Sequence, residues 1–390
     1  MKNSFNILKL IVKDEFRKII GSRITILLYA VFPIVIFLSF SLVYQKEIIR
    51  EIPVAIFDDD NSDLSKTIIK YVASSPSMEI VEYVNSIGEA KDEMLRGKIQ
   101  GFFYLPPDLS LNIKSGKQAN AFLFINSSNL IISNSLLSDG SKILKTVNAG
   151  ILIKKFRSSG LTESQAIDLA NPIKVESNIL YNTNYSYISY LIPGLTTFSL
   201  MIIIILGAIP IISHKLDHKE FSDFLSKTNN NVSLILFGKS LPHLAFHFAN
   251  ILVLVGIIFP LFNIHTTASA FAVLMYLFFF VIICLVFGLM LGALIYKRVL
   301  ATEAALFILM PAFIYSGLTF PLWAMPEIHQ IIAKMIPFTY FLSGFIKIFQ
   351  MNADFHYMIN DLLFLVSFLI ISFIITIISI KIRLIRINRV

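Results

Sequence analysis

The chain has one cysteine in 390 residues, Cys284, so no disulfide framework holds it together. A single thiol also leaves no CxxC pair and no zinc-finger or zinc-ribbon spacing. Charge is scarce too: Lys, Arg, Asp and Glu make up 15% of residues, and they lie mostly outside the long apolar runs. No segment repeats another, so the inverted-repeat design of many secondary transporters gets no support. Neither a nucleophile–base–acid set nor a group of metal ligands emerges, which argues against an autonomous enzyme. Apolar residues dominate instead. They make up 56% of the chain, and the mean hydropathy of +0.74 is well above that of an ordinary globular domain.

The apolar runs predict six transmembrane helices, over 24–44, 188–213, 241–259, 268–296, 302–320 and 358–380. Ahead of them, 1–23 reads as an amphipathic helix lying in the membrane surface. Phe5, Leu8, Val12, Phe16 and Ile19 recur at helical spacing, while Lys2, Lys9, Lys13 and Arg17 point elsewhere. A signal peptide would have an apolar core of about 7–15 residues before a small-residue cleavage site. The run 24–44 is longer and offers no such site. The net charge of +8 and pI of about 9.3 raise nucleic-acid binding, but the basic residues flank apolar runs, where they orient a chain in a bilayer. They gather in 1–23, in 214–240 (Lys215, Lys219, Lys227, Lys239), at Lys297-Arg298 and in the tail 381–390. The short opposite loops carry only Lys334 and Lys347, both in 321–357. Positive-inside logic puts both termini in the cytoplasm and the stretch 45–187 outside.

That stretch is polar and close to neutral, with 15 Lys/Arg from Lys46 to Lys174 against 16 Asp/Glu from Glu47 to Glu176. Its pattern switches between periods of two and 3.6 residues, which predicts an inserted α/β domain. Strands are expected over 52–57, 78–83, 99–105 and 121–125, with a returning strand carried by Ile173, Val175, Ser177 and Ile179. Helices are expected over 62–74, from the Ser86-Ile-Gly-Glu89 capping box to about Gly97, and over 129–158. The last, if continuous, spans roughly 40 Å, enough to lift a sheet off a bilayer.

Several motifs favour ordinary readings. Asp58-Asp59-Asp60-Asn61-Ser62-Asp63 suggests a calcium loop, but the sixth and twelfth positions hold Asp63 and Ile69 where Gly and Glu are needed. A strand-end loop and helix cap fits better. Gly238-Lys239-Ser240 resembles the end of a phosphate-binding loop, yet Ser233 stands where its first Gly belongs, so no ATP site is expected there. His214/His218 and His243/His247 have metal-binding i, i+4 spacing without the HExxH glutamate, which favours packing or interfacial histidines. Gly288-Leu-Met-Leu-Gly292 allows close helix approach, either within one bundle or between copies. Glu303, at the start of a span, serves either an ion pair with Lys297 or Arg298 or a gating step.

The stretch 321–357 follows Gly317-Leu-Thr-Phe-Pro-Leu-Trp-Ala-Met-Pro326 and contains Ile336-Pro-Phe-Thr-Tyr-Phe-Leu-Ser-Gly-Phe-Ile-Lys-Ile-Phe349. It is apolar but too short and interrupted to cross. Backbone of that kind survives at membrane depth only when packed on protein or lining a cavity. It reads as a re-entrant helical hairpin on the outer face, with a plain interfacial loop as the simpler reading.

Together, these features resemble the permease subunits of ABC type-2 (type V) exporters, in particular a bacterial subfamily with a large periplasmic domain between the first and second transmembrane helices. The residues that carry the likeness are Val54-Ala-Ile-Phe-Asp-Asp-Asp-Asn-Ser-Asp-Leu-Ser65, Gly238-Lys239 with Leu241-Pro242, and the hairpin set Gly317, Phe320, Pro321, Met325, Pro326, Pro337 and Phe338. The resemblance implies an inner-membrane subunit that docks on a separate cytoplasmic ABC ATPase. Docking would fall on the segment 214–240, with Lys219, Glu220, Phe221, Phe224 and Leu225 as contacts. The chain departs from the family here, because a Gly-Thr pair and a following Glu are usual where Lys219-Glu220-Phe-Ser222 stands. The resemblance further implies a dimer of identical or related chains, its path lined by Phe198 and Met201 of the second span and Met310, Phe313 and Tyr315 of the fifth. Large apolar side chains there would suit an amphipathic or lipid-like cargo. A periplasmic adaptor is a further implied partner. No cofactor is expected on this chain, ATP and Mg belonging to the ATPase. The alternative is a mechanotransmission, sensor or assembly protein whose external domain binds a partner without forming a transport path.

Overall fold

Long apolar runs closed by Ser, Asn or Lys caps become helices in this chain, and short runs rich in Val, Ile and Phe become strands. The computed structural model describes residues 2–45, 50–173, 178, 180–182, 186–213 and 219–387, with side chains described except at 2–3, 219–222 and 386–387. The chain divides into two compact units, Met1–Glu47 with Ile179–Val390, and Ile48–Asn178. The first unit opens with α1 (Lys2–Gly21) and α2 (Arg23–Val43). Ser22 separates them, its hydroxyl accepting the amide of Thr25. Within α2, Leu27–Val31 forms a π-turn just ahead of Pro33, whose ring nitrogen has no proton to donate.

The second unit runs β1 (Ile52–Asp58), α3 (Asp63–Ala73), β2 (Met78–Tyr83), α4 (Ile87–Leu95), β3 (Gly101–Leu105), α5 (Leu109–Lys114), β4 (Phe122–Ile125), α6 (Leu130–Ser158) and α7 (Glu163–Ala170). The sheet order is β2-β1-β3-β4; β1 is parallel to both neighbours and β4 is antiparallel to β3. Val54 and Ile56 face one core with Ile68, Val72, Phe103 and Leu136, while Ala55 faces another with Ala90 and Phe102. Burial on both faces explains why β1 is apolar without alternation. The acidic run after β1 is occupied locally: Ser62 caps α3, Asp58 accepts from Asn61 and Ser65, and Asp60 accepts from Ser110. Helix α6 is continuous, 29 residues or about 43 Å, and buries Leu136 and Val147 against the sheet. It is therefore a packing layer of the sheet. Two short helices, α5 and α7, were not expected. Most of the expected returning strand lies outside the described residues; Ile173 and Asn178 are not in a strand.

The first unit resumes with α8 (Tyr187–Ser213), α9 (Lys219–Lys227), α10 (Val232–Leu261), α11 (Ala270–Leu294), α12 (Arg298–Ile314), α13 (Glu327–Lys334), α14 (Pro337–Phe349) and α15 (Ile359–Ile387). Among the described residues, five helices are long and apolar enough to cross a membrane: α2, α8, α10, α11 and the run containing α15. The pair α13–α14, bent by 84°, makes a sixth if counted as one broken span. The run expected over 302–320 differs. Its helix begins at Arg298 and stops at Ile314, 17 residues or about 25 Å, because the chain turns off through Tyr315 and Ser316 into Gly317, whose φ of +87° is left-handed. Helix α11 is the centre of the bundle and packs on α8, α10, α12, α14 and α15. Gly288 and Gly292 make this possible. A Cβ on either would fall 2.6 Å from the Ile205 carbonyl oxygen and 2.5 Å from that of Ile209, so the glycine pair seats α11 on α8 within one chain.

Candidate functional site

The most unusual chemistry in the first unit lies where α1 meets α10. Spacing assigns Phe5, Leu8, Val12, Phe16 and Ile19 to the apolar stripe of a helix lying in the membrane surface. Against the rest of the protein, α1 buries Ile11, Glu15 and Ile19, while Phe5 and Phe16 are exposed. The face is set by Gly238 of α10, whose missing Cβ would fall 2.8 Å from Ile11 and 3.1 Å from Leu8. Close approach brings the Glu15 carboxylate into the bundle, where Lys239 Nζ donates to Oε2 at 2.9 Å. Both side chains are almost fully enclosed, Glu15 at 3% and Lys239 at 1% exposure. Glu15 Oε1 lies 3.5 Å from Nε2 of His243, one turn further along α10.

The network continues into two spans. Tyr29 of α2 shares a 2.8 Å hydrogen bond with Nδ1 of His243 and donates to the Gly207 carbonyl of α8 at 3.0 Å. Asn250 of α10 donates to the Tyr29 carbonyl at 2.8 Å. His247 is fully buried against the Tyr29 ring, and among the described residues its Nε2 has no hydrogen-bond partner. Phe224 of α9 places its ring 5.8 Å from the Lys239 ammonium. One polar cluster thus touches α1, α2, α8, α9 and α10. The Gly238-Lys239 pair acts as a helix-approach glycine and a buried cation. Sequence reasoning missed Glu15; the signal was a carboxylate at position 15, in register with Ile11 and Ile19.

The expected docking segment forms α9 and the start of α10. Leu225 is buried in the bundle and Phe224 is half-buried, so both hold α9 in place, while Asp223, Ser226 and Lys227 are exposed. The side chains of Lys219, Glu220 and Phe221, and the pair His214/His218, lie outside the described residues. His243 and His247 are brought together inside the cluster just described.

Of the expected path residues, three converge. The Phe198 ring is 4.9 Å from Phe313 and 5.3 Å from Phe338, the first buried residue of α14. Met201 and Phe338 line one apolar cavity of about 30 Å³ with Cys284, Ile308 and Phe368. Met310 points away at 65% exposure, and Tyr315 instead shares a 2.8 Å hydrogen bond with His329 of α13. Glu303 is exposed and, among the described residues, forms no ion pair with Lys297 or Arg298; it shares its helix face with Phe307, Met310 and Ile314.

The hairpin set is anchored at several points. Gly317 makes the turn, Pro321 opens a short 3₁₀ turn, Pro326 caps α13, Met325 is buried, and Pro337 starts α14 while Phe320 is half exposed. Tyr190 donates to the Leu318 carbonyl and Thr339 to that of Tyr315. Lys347 of α14 pairs with Asp361 of α15 at 2.7 Å.

Five long apolar helices, with α11 at the centre of the bundle, define a multi-pass membrane protein. A family model described as ABC-2 family transporter protein matches residues 23–378, nearly the whole length. The chain belongs to that family, and membership makes it a transporter's membrane subunit and implies an ATPase partner. A comparison with curated proteins gives no match.

Proposed function

We propose that the chain is the permease subunit of an ATP-driven exporter in a bacterial inner membrane. It would move an amphipathic or lipid-like molecule outward while a separate cytoplasmic ABC ATPase hydrolyses Mg-ATP. Both termini and α9 face the cytoplasm, and the unit Ile48–Asn178 faces the periplasm, where an adaptor is a further partner. The Lys/Arg distribution supports that orientation. The family match carries the reading, and α9 supports it as the docking element. It is a nine-residue helix held from below by Phe224 and Leu225, with Asp223, Ser226 and Lys227 open to a partner.

Two copies, or one copy and a related chain, would meet through the open face of α12, which presents Phe307, Met310 and Ile314 beside Glu303. A carboxylate facing lipid is costly, which favours a protein neighbour over acyl chains there. Phe198, Met201 and Phe313 then border the route, and the bent pair α13–α14 is a re-entrant cap on it. ATPase closure favours one packing of the helices over another, as coupling requires.

Co-purification with candidate ATPases tests the docking surface. Charge reversal at Glu220 or Asp223 should abolish ATPase capture while leaving the melting temperature unchanged. Capture unaffected by both reversals would contradict the assignment of α9.

A further inference from the structure

Lys239, His243 and His247 lie four residues apart on α10, so their Cα atoms stand on one helix face at intervals of about 6 Å along the axis. All three are buried, at 1%, 4% and 0% exposure. Glu15 of α1 stands between the first two, bonded to Lys239 at 2.9 Å and lying 3.5 Å from His243. The third position, His247 Nε2, has no hydrogen-bond partner among the described residues. A buried ion pair seldom adds stability over a well-packed apolar pair, so this one is better explained by a choice between arrangements. A carboxylate facing a series of nitrogen groups on one helix face has more than one place to stop.

We propose that Glu15 is a pawl on a three-rung ladder formed by Lys239, His243 and His247, and that α1 steps along α10 by one rung. In the second position the carboxylate sits between His243 and His247, and the orphaned nitrogen of His247 gains a partner. In the first position Gly238 holds Ile11 and Leu8 at close range. Tyr29, bonded to His243 and to the Gly207 carbonyl, carries the step to α2 and α8. Phe224, against Lys239, brings α9 to the first rung. One-turn displacements of packed helices are an established form of bistable switching. The source of the push rests on the docking reading of α9; the ladder itself does not.

Two measurements test it, both in the full chain with Cys284→Ala. Spin labels on Lys9→Cys and Ser233→Cys, both exposed, report the position of α1 along α10 in the isolated protein in nanodiscs. Lys239→Met removes the first rung and should shift the label distance by several ångströms, towards the one-rung step of about 6 Å. Adding His243→Leu and His247→Leu should cancel the shift. An unchanged distance in a folded Lys239→Met variant overturns the ladder.

The second measurement keeps every rung. Phe16→Cys and Phe246→Cys, whose native rings stack at 5.9 Å, are joined by a short reversible thiol cross-linker. Locked protein should still capture the ATPase but lose ATP-driven export, and reduction should restore it. Full export while locked overturns the proposal even if Lys239→Met fails to fold. A chain that captures no ATPase contradicts the reading of α9 and leaves the label distances to decide the ladder.

Discussion

Lys239 meets Glu15 inside the bundle, and the pair spans 224 positions of sequence. Removing one partner from such a pair takes a close counter-charge away from a buried charge. Glu15→Leu alone should therefore lower unfolding stability by about 3–5 kcal/mol. Glu15→Leu with Lys239→Met should return the melting temperature to the native value or above it, because two apolar side chains avoid the desolvation cost. A double variant as unstable as the single one would show that the pair is needed for folding itself. In the local sequence, only the register of Glu15 with Ile11 and Ile19 hints at this contact. Position 15 lies in the charged run Lys13-Asp14-Glu15-Phe16-Arg17, one helical turn from Ile11 and Ile19, and Gly238, far along the chain, brings that face against α10. The histidines at 243 and 247 were legible as a pair, and their packing role follows from burial.

Elements were more legible than contacts. All four strands of the sheet lie where the sequence pattern put them to within two residues, since β-branched runs between turn residues leave few choices. Ser86 caps α4 by accepting from Glu89, but the Glu89 carboxylate reaches back to the amide of Asn85. Helices α5 and α7 are too short for periodicity to reveal. At the end of α4, Lys98 bonds to Glu93 with Arg96 alongside, and together they hold this carboxyl below its ordinary value of 4.5. A depressed folded value means the stabilisation is fully present above about 4.5 and is lost as pH falls through the lower folded value. Glu93→Gln should flatten the acid limb of the unfolding curve below that pH, measured on the second unit by exchange or circular dichroism. An unchanged acid limb would remove the cluster from the pH response. In the first unit, Asp361→Asn should weaken the tie between α14 and α15 by about 1 kcal/mol, discounted because Lys347 is one-third exposed. Faster hydrogen exchange confined to Pro337–Phe349 would report it; exchange spread over the bundle would mean a global loss.

For the whole molecule, hydropathy marked out the membrane-spanning character and the inserted polar stretch, because burying apolar length is the dominant constraint in a bilayer. It misplaced α12, whose end is set by the left-handed turn at Gly317. Hydropathy also could not show that Gly288 and Gly292 face α8, since the same pattern serves contacts between copies. The account assigns the chain the role of a gate driven by an ATPase on another subunit. Reconstitution in liposomes, with and without the co-purifying ATPase, tests that most directly. Cargo should move only when the ATPase and Mg-ATP are both present on the same face as α9. Transport by the chain alone, driven by an ion gradient, would contradict it.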